Sequence, residues 1–189
     1  MEKLNTYINH TDYSGIKNFF LEKGKKQIFR RKDYFVQQNS ISLYAGYIEQ
    51  GIFHYTRVDS SGKEHVVGYS FENEFICDYS FFIKKTESLV SICALTECTV
   101  YLISLNEYLE YANTFQNGVH FGFQVANELF EMYYKRLLAL YCESPEQRYI
   151  NLMRQCPELK EKVPLKEIAS FLGISPETVS HIRRKLLFE

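Results

Sequence analysis

Short segments in which apolar and polar residues alternate fill most of the first half of the chain, beginning near Gln27. β-Branched and aromatic residues dominate these segments, and turn signals at residues 50–51 and 59–62 separate some of them. Many short strands at such intervals are typical of an antiparallel sandwich or barrel. We expect the strands at residues 32–37, 43–49, 51–58, 63–71, 89–95 and 98–104.

A long helix is predicted for residues 115–143, because apolar residues recur there at alternating intervals of four and three, the a/d pattern of a coiled coil. This pattern predicts a dimer seam made of Val119, Phe123, Ala126, Phe130, Tyr133, Leu137 and Leu140. A second apolar stripe beside it consists of Phe121, Val125, Leu129 and Met132. One stripe can therefore pack on the helix's own domain and the other on a second copy of the chain. A single helix buried inside a monomer is the alternative, since so few heptads are not decisive.

The last two dozen residues predict two short helices joined by a tight turn. The first helix carries one apolar face, and Gly173 is suited to end it because glycine accepts a left-handed backbone. Ser175 can cap the second helix, with Pro176 at its first position. In that second helix Val179 and Ile182 face inward while polar and basic residues face outward. This arrangement is typical of a helix-turn-helix, whose second helix enters the DNA major groove. An ordinary helical hairpin is the alternative.

These patterns together predict an α+β protein with three parts. A short amphipathic helix within residues 4–23 opens a β-roll domain that extends over residues 1–113. The dimerisation helix occupies residues 114–143, and a helix-turn-helix DNA-binding domain occupies residues 144–189. Ser144 and Pro145 are expected to cap and begin the first helix of that last domain.

Charge and composition narrow the class of protein. The formal net charge is −1, and residues 142–189 carry 8 Lys+Arg against 7 Asp+Glu, a modest basic footprint. This suggests a homodimer that doubles its DNA contacts. No apolar run approaches the roughly 20 residues of a membrane span, and the first ten residues lack the apolar core of a signal peptide. We therefore expect a cytoplasmic protein that does not contact a membrane.

The five cysteines are scattered and odd in number, with no C-x-x-C, which argues against a disulfide framework or a zinc module. We expect free thiols in the core, where cysteine commonly behaves as a small hydrophobic residue.

The order of these segments resembles the cyclic AMP receptor protein/FNR family of bacterial transcription regulators, especially the short form common in the Bacteroidetes. The resemblance rests on I-E-Q-G-I-F-H-Y-T-R-V-D-S-S-G-K-E (48–64), F-E-N-E-F-I-C-D-Y (71–79), the long helix, S-P-E-Q-R-Y (144–149) and G-I-S-P-E-T-V-S-H-I-R-R (173–184). It implies a cyclic-nucleotide-binding-like β-roll, a homodimer that binds double-stranded DNA, and RNA polymerase as a further partner.

The chain departs from the family's ligand-binding patterns. In the family's cyclic-nucleotide binders a glutamate beside a glycine holds the ribose, but here Asp78 replaces the glutamate and no glycine is next to it. The two positions that hold the cyclic phosphate in those proteins are Ser88 and Leu89 here. No cysteine precedes Cys77, so an iron–sulfur cluster is not expected either. We therefore expect no cofactor, no binding of cyclic AMP, and an effector that is more apolar or absent. The expected lining of an effector pocket is Phe75, Asp78, Tyr79, Phe81, Phe82, Ser88 and Leu89.

The second helix of the helix-turn-helix supplies the expected DNA contacts. Glu177, Ser180 and His181 are predicted to read base edges, although the family often has an arginine at the position of His181. Phosphate contacts are expected from Thr178, Arg183, Arg184 and Lys185, and Ser175 lies at the start of the same helix.

A cupin-like protein that binds a metal or a small molecule is the main alternative. His54 and His65 could approach each other across a hairpin, but the sequence lacks an H-x-H with a following Glu and a distal His. No nucleophile elbow is present, and we expect neither a metal site nor an enzyme. A regulator that responds to a partner protein stays open.

Overall fold

The computed structural model describes residues 4–5, 7, 13–114 and 118–187, without the side chains of residues 118–120, and it confirms the α+β class. The strands are β1 (Lys25–Phe29), β2 (Tyr34–Val36), β3 (Tyr44–Gln50), β4 (Phe53–Val58), β5 (Glu64–Ser70), β6 (Phe75–Ile76), β7 (Ser91–Ala94) and β8 (Cys98–Ser104). The helices are α1 (Ser14–Lys23), α2 (Tyr79–Lys84), α3 (Leu105–Thr114), α4 (Gly118–Cys142), α5 (Pro145–Gln155), α6 (Leu159–Lys162), α7 (Leu165–Leu172) and α8 (Pro176–Lys185).

The strands form two four-stranded antiparallel sheets packed face to face as a β-roll. Their orders are β1-β8-β3-β6 and β2-β7-β4-β5. Ile48 and Val100 of the first sheet and Phe53 and Ile92 of the second belong to one cluster of fully buried side chains. Side chains alternate between the two faces of a strand, so a period-two pattern with one buried face produces this sandwich.

Glycines fix two turns of the β-roll. Gly51 has a φ of +105°, and a Cβ there would lie 2.5 Å from Cys98 Sγ, so no other residue fits without displacing β8. Gly62 has a φ of +83° in the β4–β5 hairpin that the residue 59–62 turn signal predicts. The Asp59 side chain supports this hairpin by accepting hydrogen bonds from the backbone N–H groups of Ser61 and Lys63.

Several elements differ from the sequence-based expectation. β1, β6, α2 and α6 were not expected, because β1 is exposed at all but one position and the other three are six residues or shorter. The opening helix begins at Ser14, and residues 8–12 of its expected range lie outside the described chain. All five cysteines are free thiols as expected, but Cys142 is exposed rather than part of the core.

The last four helices pack around Leu159, Ile168 and Val179, which are fully buried, and they dock on the β-roll through β5. Val66 and Tyr69 of β5 belong to the same apolar cluster as these helices. Hydrogen bonds reinforce the docking, since the backbone N–H of Val66 donates to Ser170 Oγ at 2.9 Å.

Candidate functional site

The helix pair α7–α8 has the local chemistry that its sequence predicts. Gly173 has a left-handed φ of +67° immediately after α7, and its N–H donates back to Ser170 O. Ser175 Oγ accepts from the N–H of Thr178 at 3.2 Å, and Pro176 occupies the first turn of α8. Val179 and Ile182 are buried against the rest of the domain. The start of α8 is therefore capped and its inward face is packed, which orients the outward face.

The predicted base-reading residues lie on or beside this outward face. Glu177 and His181 are exposed, while Ser180 and Thr178 are half-buried. Hydrogen bonds from the Glu177 backbone N–H and from Ser175 lower the pKa of the Glu177 carboxyl, which keeps it ionised and able to accept. Such a carboxylate can accept from cytosine N4 in the major groove.

Two of the basic side chains at the end of α8 contact residues of α5. Arg183 Nε donates to Tyr149 OH at 3.0 Å, and its guanidinium lies over the Tyr149 ring. Lys185 Nζ lies 2.8 Å from Glu146 Oε1 in an ion pair. Arg184 is exposed, and its side chain has no hydrogen-bond partner among the described residues. Of the three basic residues expected to contact phosphates, Arg184 is thus the one whose side chain makes no hydrogen bond or ion pair with a described residue.

The S-P-E-Q-R-Y segment follows the long helix α4 and begins α5. Ser144 and Gln147 form a capping box at the start of α5, as the position of Ser144 predicts. Arg148, to which the sequence analysis assigned no role, donates to Glu143 O at 2.8 Å and to Leu172 O at 3.2 Å. It thereby satisfies carbonyl groups at the ends of α4 and α7, which have no partners within their own helices.

The long helix α4 presents two apolar faces. Phe121 and Met132 of the second stripe are buried against α1, α3 and the β-roll. The predicted seam residues are exposed instead, with Phe123 and Phe130 each 67% accessible. The same holds for Ala126, Tyr133, Leu137 and Leu140, whereas the Val119 side chain lies outside the described chain. A row of large apolar side chains is thus left open along the helix.

A cavity of about 680 Å³ lies between the β-roll, α2 and α4. Its walls are mostly apolar and aromatic. Several of the tyrosine hydroxyls there are bonded to the protein, whereas the buried hydroxyl of Tyr69 has no partner among the described residues. Tyr79 OH lies 3.0 Å from Tyr108 OH, and Tyr55 OH lies 3.1 Å from Ser70 Oγ. Burial raises the pKa of Tyr55 and Tyr108 well above the ordinary value, so these phenols stay neutral.

Most of the expected effector-pocket residues line this cavity. These are Phe75, Asp78, Tyr79, Phe81, Phe82 and Leu89. Ser88 is fully buried behind them and does not line the cavity. Its hydroxyl donates to Asp78 Oδ2 at 2.8 Å, and the Leu89 N–H donates to the same oxygen at 3.1 Å. The hydroxyl and N–H at the positions that would hold a cyclic phosphate are therefore bound to a carboxylate of the protein itself.

Arg136 of α4 is a cavity residue that the sequence analysis missed. It is largely buried, and burial lowers the pKa of its guanidinium. Its guanidinium also lies 5.7 Å from the Tyr133 ring centroid and 5.9 Å from that of Phe171 in α7. A sequence signal existed, since Arg136 lies four residues after Met132, on the inward stripe of α4.

The two histidines of the alternative metal site have separate partners. His54 Nδ1 lies 3.2 Å from Glu167 Oε2 of α7, and His65 Nε2 lies 2.7 Å from Asp59 Oδ2 in the hairpin. Burial alone lowers the pKa of His54, but hydrogen bonds to Cys93 and Glu167 outweigh it and raise the value to about 9. Among the described residues, no group of three His, Cys, Asp or Glu side chains is arranged to hold a metal.

Comparisons with known proteins agree with this architecture. Residues 26–115 match the cyclic nucleotide-binding domain family. FixK2 from Bradyrhizobium japonicum has a similar fold, with a TM-score of 0.73 and 14% identity over 87% of this chain and 85% of that one. The c-di-GMP responsive global regulator CLP from Xanthomonas campestris is also similar, with a TM-score of 0.66 and 16% identity over 93% of this chain and 92% of that one. A transcriptional regulator from Thermotoga maritima has a TM-score of 0.56 and 17% identity over 66% of this chain and 96% of that one.

These findings confirm the resemblance drawn from the sequence. A comparison with curated protein sequences found no match to the chain. No helix in the described part of the chain is long and apolar enough to cross a membrane.

Proposed function

Since the chain contains a cyclic nucleotide-binding domain within the fold of the cyclic AMP receptor protein/FNR regulators, we propose that it is a transcription regulator. It acts as a homodimer that binds a near-palindromic operator in double-stranded DNA, and it has no enzymatic activity. As the resemblance implies, it acts on transcription through RNA polymerase. The observation that carries the proposal is a capped helix-turn-helix on the same chain as an unpaired apolar helix face.

The outward face of α8 supports DNA recognition. Glu177 and His181 are exposed on a helix that Ser175 caps and that packs on its domain through Val179 and Ile182. Base readers must be held rigidly, because hydrogen bonds to base edges depend on position and angle. The modest basic charge of α8, with Lys185 paired to Glu146, makes a single domain a weak phosphate binder. Two copies on one operator double these contacts.

The exposed seam of α4 supports the homodimer. Phe123 and Phe130 are mostly accessible although large, and Leu137 and Leu140 continue the same row towards the end of the helix. A monomer rarely leaves such a contiguous apolar row in water. A second copy of α4 packed in parallel would cover it with knobs-into-holes contacts and place two α8 helices on one side of the dimer.

The cavity supports an effector other than cyclic AMP. A buried cyclic phosphate needs a positive partner or free N–H donors, and here Ser88 and Leu89 are bound to Asp78. The Asp78 carboxylate itself would repel the phosphate. We therefore propose that the β-roll does not bind cyclic AMP in the manner of the family.

Selection from random duplex DNA tests the proposal. The full chain should enrich a near-palindrome whose half-sites are about one helical turn, roughly 34 Å, apart. Replacing Glu177 with Ala should relax one position in each half-site, at about 1–3 kcal/mol per contact. Lys166→Ala, on the neighbouring helix α7, serves as the matched control and should leave the motif unchanged. If no sequence is enriched over the starting pool, the chain is not a sequence-specific regulator.

A further inference from the structure

Arg136 is a buried cation at the wall of an apolar cavity. Only two charged side chains of the described residues line this cavity, Arg136 and Asp78. Asp78 accepts two hydrogen bonds from Ser88 and Leu89, so its charge is stabilised by nearby donors. The charge of Arg136 has no comparable partner: within the described chain, no carboxylate lies within ion-pair distance of its guanidinium.

The donors of Arg136 are only partly used. Nη2 donates to Leu4 O at 3.2 Å and to Asn5 Oδ1 at 2.6 Å. Nε is buried and has no partner in the described structure, and Nη1 makes no hydrogen bond with a described residue. A guanidinium has five N–H groups. Three of them are thus left without acceptors.

Glu74, an acidic residue whose charge acts on Arg136, is linked to it by hydrogen bonds only through a third residue. Asn5 Nδ2 donates to the Glu74 carboxylate, and that carboxylate also accepts from the Phe71 N–H at 3.0 Å. Glu74 therefore helps to hold Asn5, which in turn orients one edge of the guanidinium. A charge that is buried without a direct counter-ion is unfavourable, and an anion that enters the cavity would remove this cost.

The remaining walls indicate what kind of anion fits. Val125, Leu129 and Met132 of α4 line the cavity together with Phe75 and Phe82. The hydroxyls of Tyr55, Tyr79 and Tyr108 are bonded within the protein, so at these positions the ligand would contact mainly aromatic rings. Such walls favour a flat apolar body, and a single guanidinium without a direct counter-ion favours a ligand with a single negative charge, such as a carboxylate. A volume near 680 Å³ lies within the range of small-molecule sites.

We propose that the cavity binds an aromatic carboxylate, whose acid group pairs with Arg136 and whose ring lies between α4 and the β-roll. This deepens the proposed function, because it names the chemical class of its effector. The acid group pairs with Arg136 and not with Asp78, whose carboxylate carries a like charge. Since the same guanidinium lies over the Phe171 ring of α7, the bound acid contacts a residue that also touches the helix-turn-helix.

Calorimetry with matched acids and amides tests this assignment. The probes are phenylacetate, 2-naphthoate and indole-3-acetate, each compared with its primary amide, which has nearly the same shape but no charge. At least one acid should bind the wild-type protein about tenfold or more tightly than its amide, since a charge-assisted hydrogen bond is stronger than one between neutral groups. If no acid binds below 1 mM, or if acid and amide bind equally, the proposal is wrong.

Two variants locate the binding site. Arg136→Met keeps the length of the side chain and should remove the preference for the acid, whereas Arg136→Lys keeps the charge and should retain part of it. Lys135→Met is the matched control, because Lys135 is exposed on the same helix and pairs with Glu131, and it should bind like the wild type. An acid preference that survives in Arg136→Met places the anion elsewhere and overturns the assignment. Operator selection without any probe is independent, so failure here leaves the proposed DNA binding intact.

Discussion

The pair formed by His54 and Glu167 gives a sharp test of how the β-roll holds the helix-turn-helix. His54 lies on β4, Glu167 lies on α7, and only 12% and 20% of their side chains are exposed. The pKa of His54 is raised from 6.5 to about 9, because hydrogen bonds to Cys93 and Glu167 outweigh the effect of burial. Each unit of pKa difference between the folded and unfolded states corresponds to about 1.4 kcal/mol, so protonated His54 contributes at most about 3 kcal/mol.

The sign of the pH dependence follows from the direction of that shift. A raised pKa means that the folded state holds the proton more tightly, so the stabilisation is complete below pH 6.5 and is lost as the pH rises through about 9. The variant His54→Gln cannot titrate. The wild type should have a larger free energy of unfolding than this variant at pH 6. The difference between the two proteins should be about 2–3 kcal/mol larger at pH 6 than at pH 9.5.

Urea unfolding of both proteins at the two pH values measures this difference. His65→Gln is the matched control, because His65 forms a similar pair with Asp59 that is 41% exposed on both sides. An exposed pair contributes at most about 1 kcal/mol, so this variant should differ from the wild type by a small and nearly constant amount. A gap between the wild type and His54→Gln that does not change with pH would refute the reasoning.

Three further predictions concern the dimer, the DNA contact and the cavity. Leu137→Glu should yield a monomer by light scattering, because it puts a charge in the seam, whereas Lys135→Glu on another face should stay a dimer; a dimeric Leu137→Glu protein would contradict the seam. Arg184→Ala should reduce the salt slope of operator binding by about 2 per dimer, one phosphate contact in each half-site, and Lys185→Ala by less because Lys185 pairs with Glu146; equal slopes for both variants would show that the ion pair with Glu146 opens on DNA. Calorimetry with cyclic AMP should show no binding near 10 µM, an affinity of about 7 kcal/mol, and binding at that level would refute our interpretation of the loop around Asp78.

The parts of the fold that local chemistry determines could be predicted from the sequence. Gly173, Ser175 and Pro176 each have a conformational preference that acts within a few residues, and the turn and the start of α8 lie where these preferences put them. The two stripes of α4 were also recognisable, because their spacing depends only on the helical period.

The contacts between distant segments could not be predicted. Arg136 meets Asn5 and Phe171, which lie far from it along the chain, and no local pattern shows that these residues converge. In the same way, Arg183 and Lys185 were expected to face phosphates because they are basic and exposed in a helical projection. Their partners on α5 depend on how the two helices cross, which a single sequence does not reveal.

The apolar cluster that runs from α7 and α8 into β5 limits how this chain could be divided. Val66 and Tyr69 complete the core around Ile168 and Val179, so a fragment of residues 144–189 alone would expose apolar surface that the full chain buries. The helix-turn-helix end is therefore not a portable module that could be fused elsewhere without its β-roll. It should also exchange its amide hydrogens together with β5, as one cooperative unit, rather than open independently.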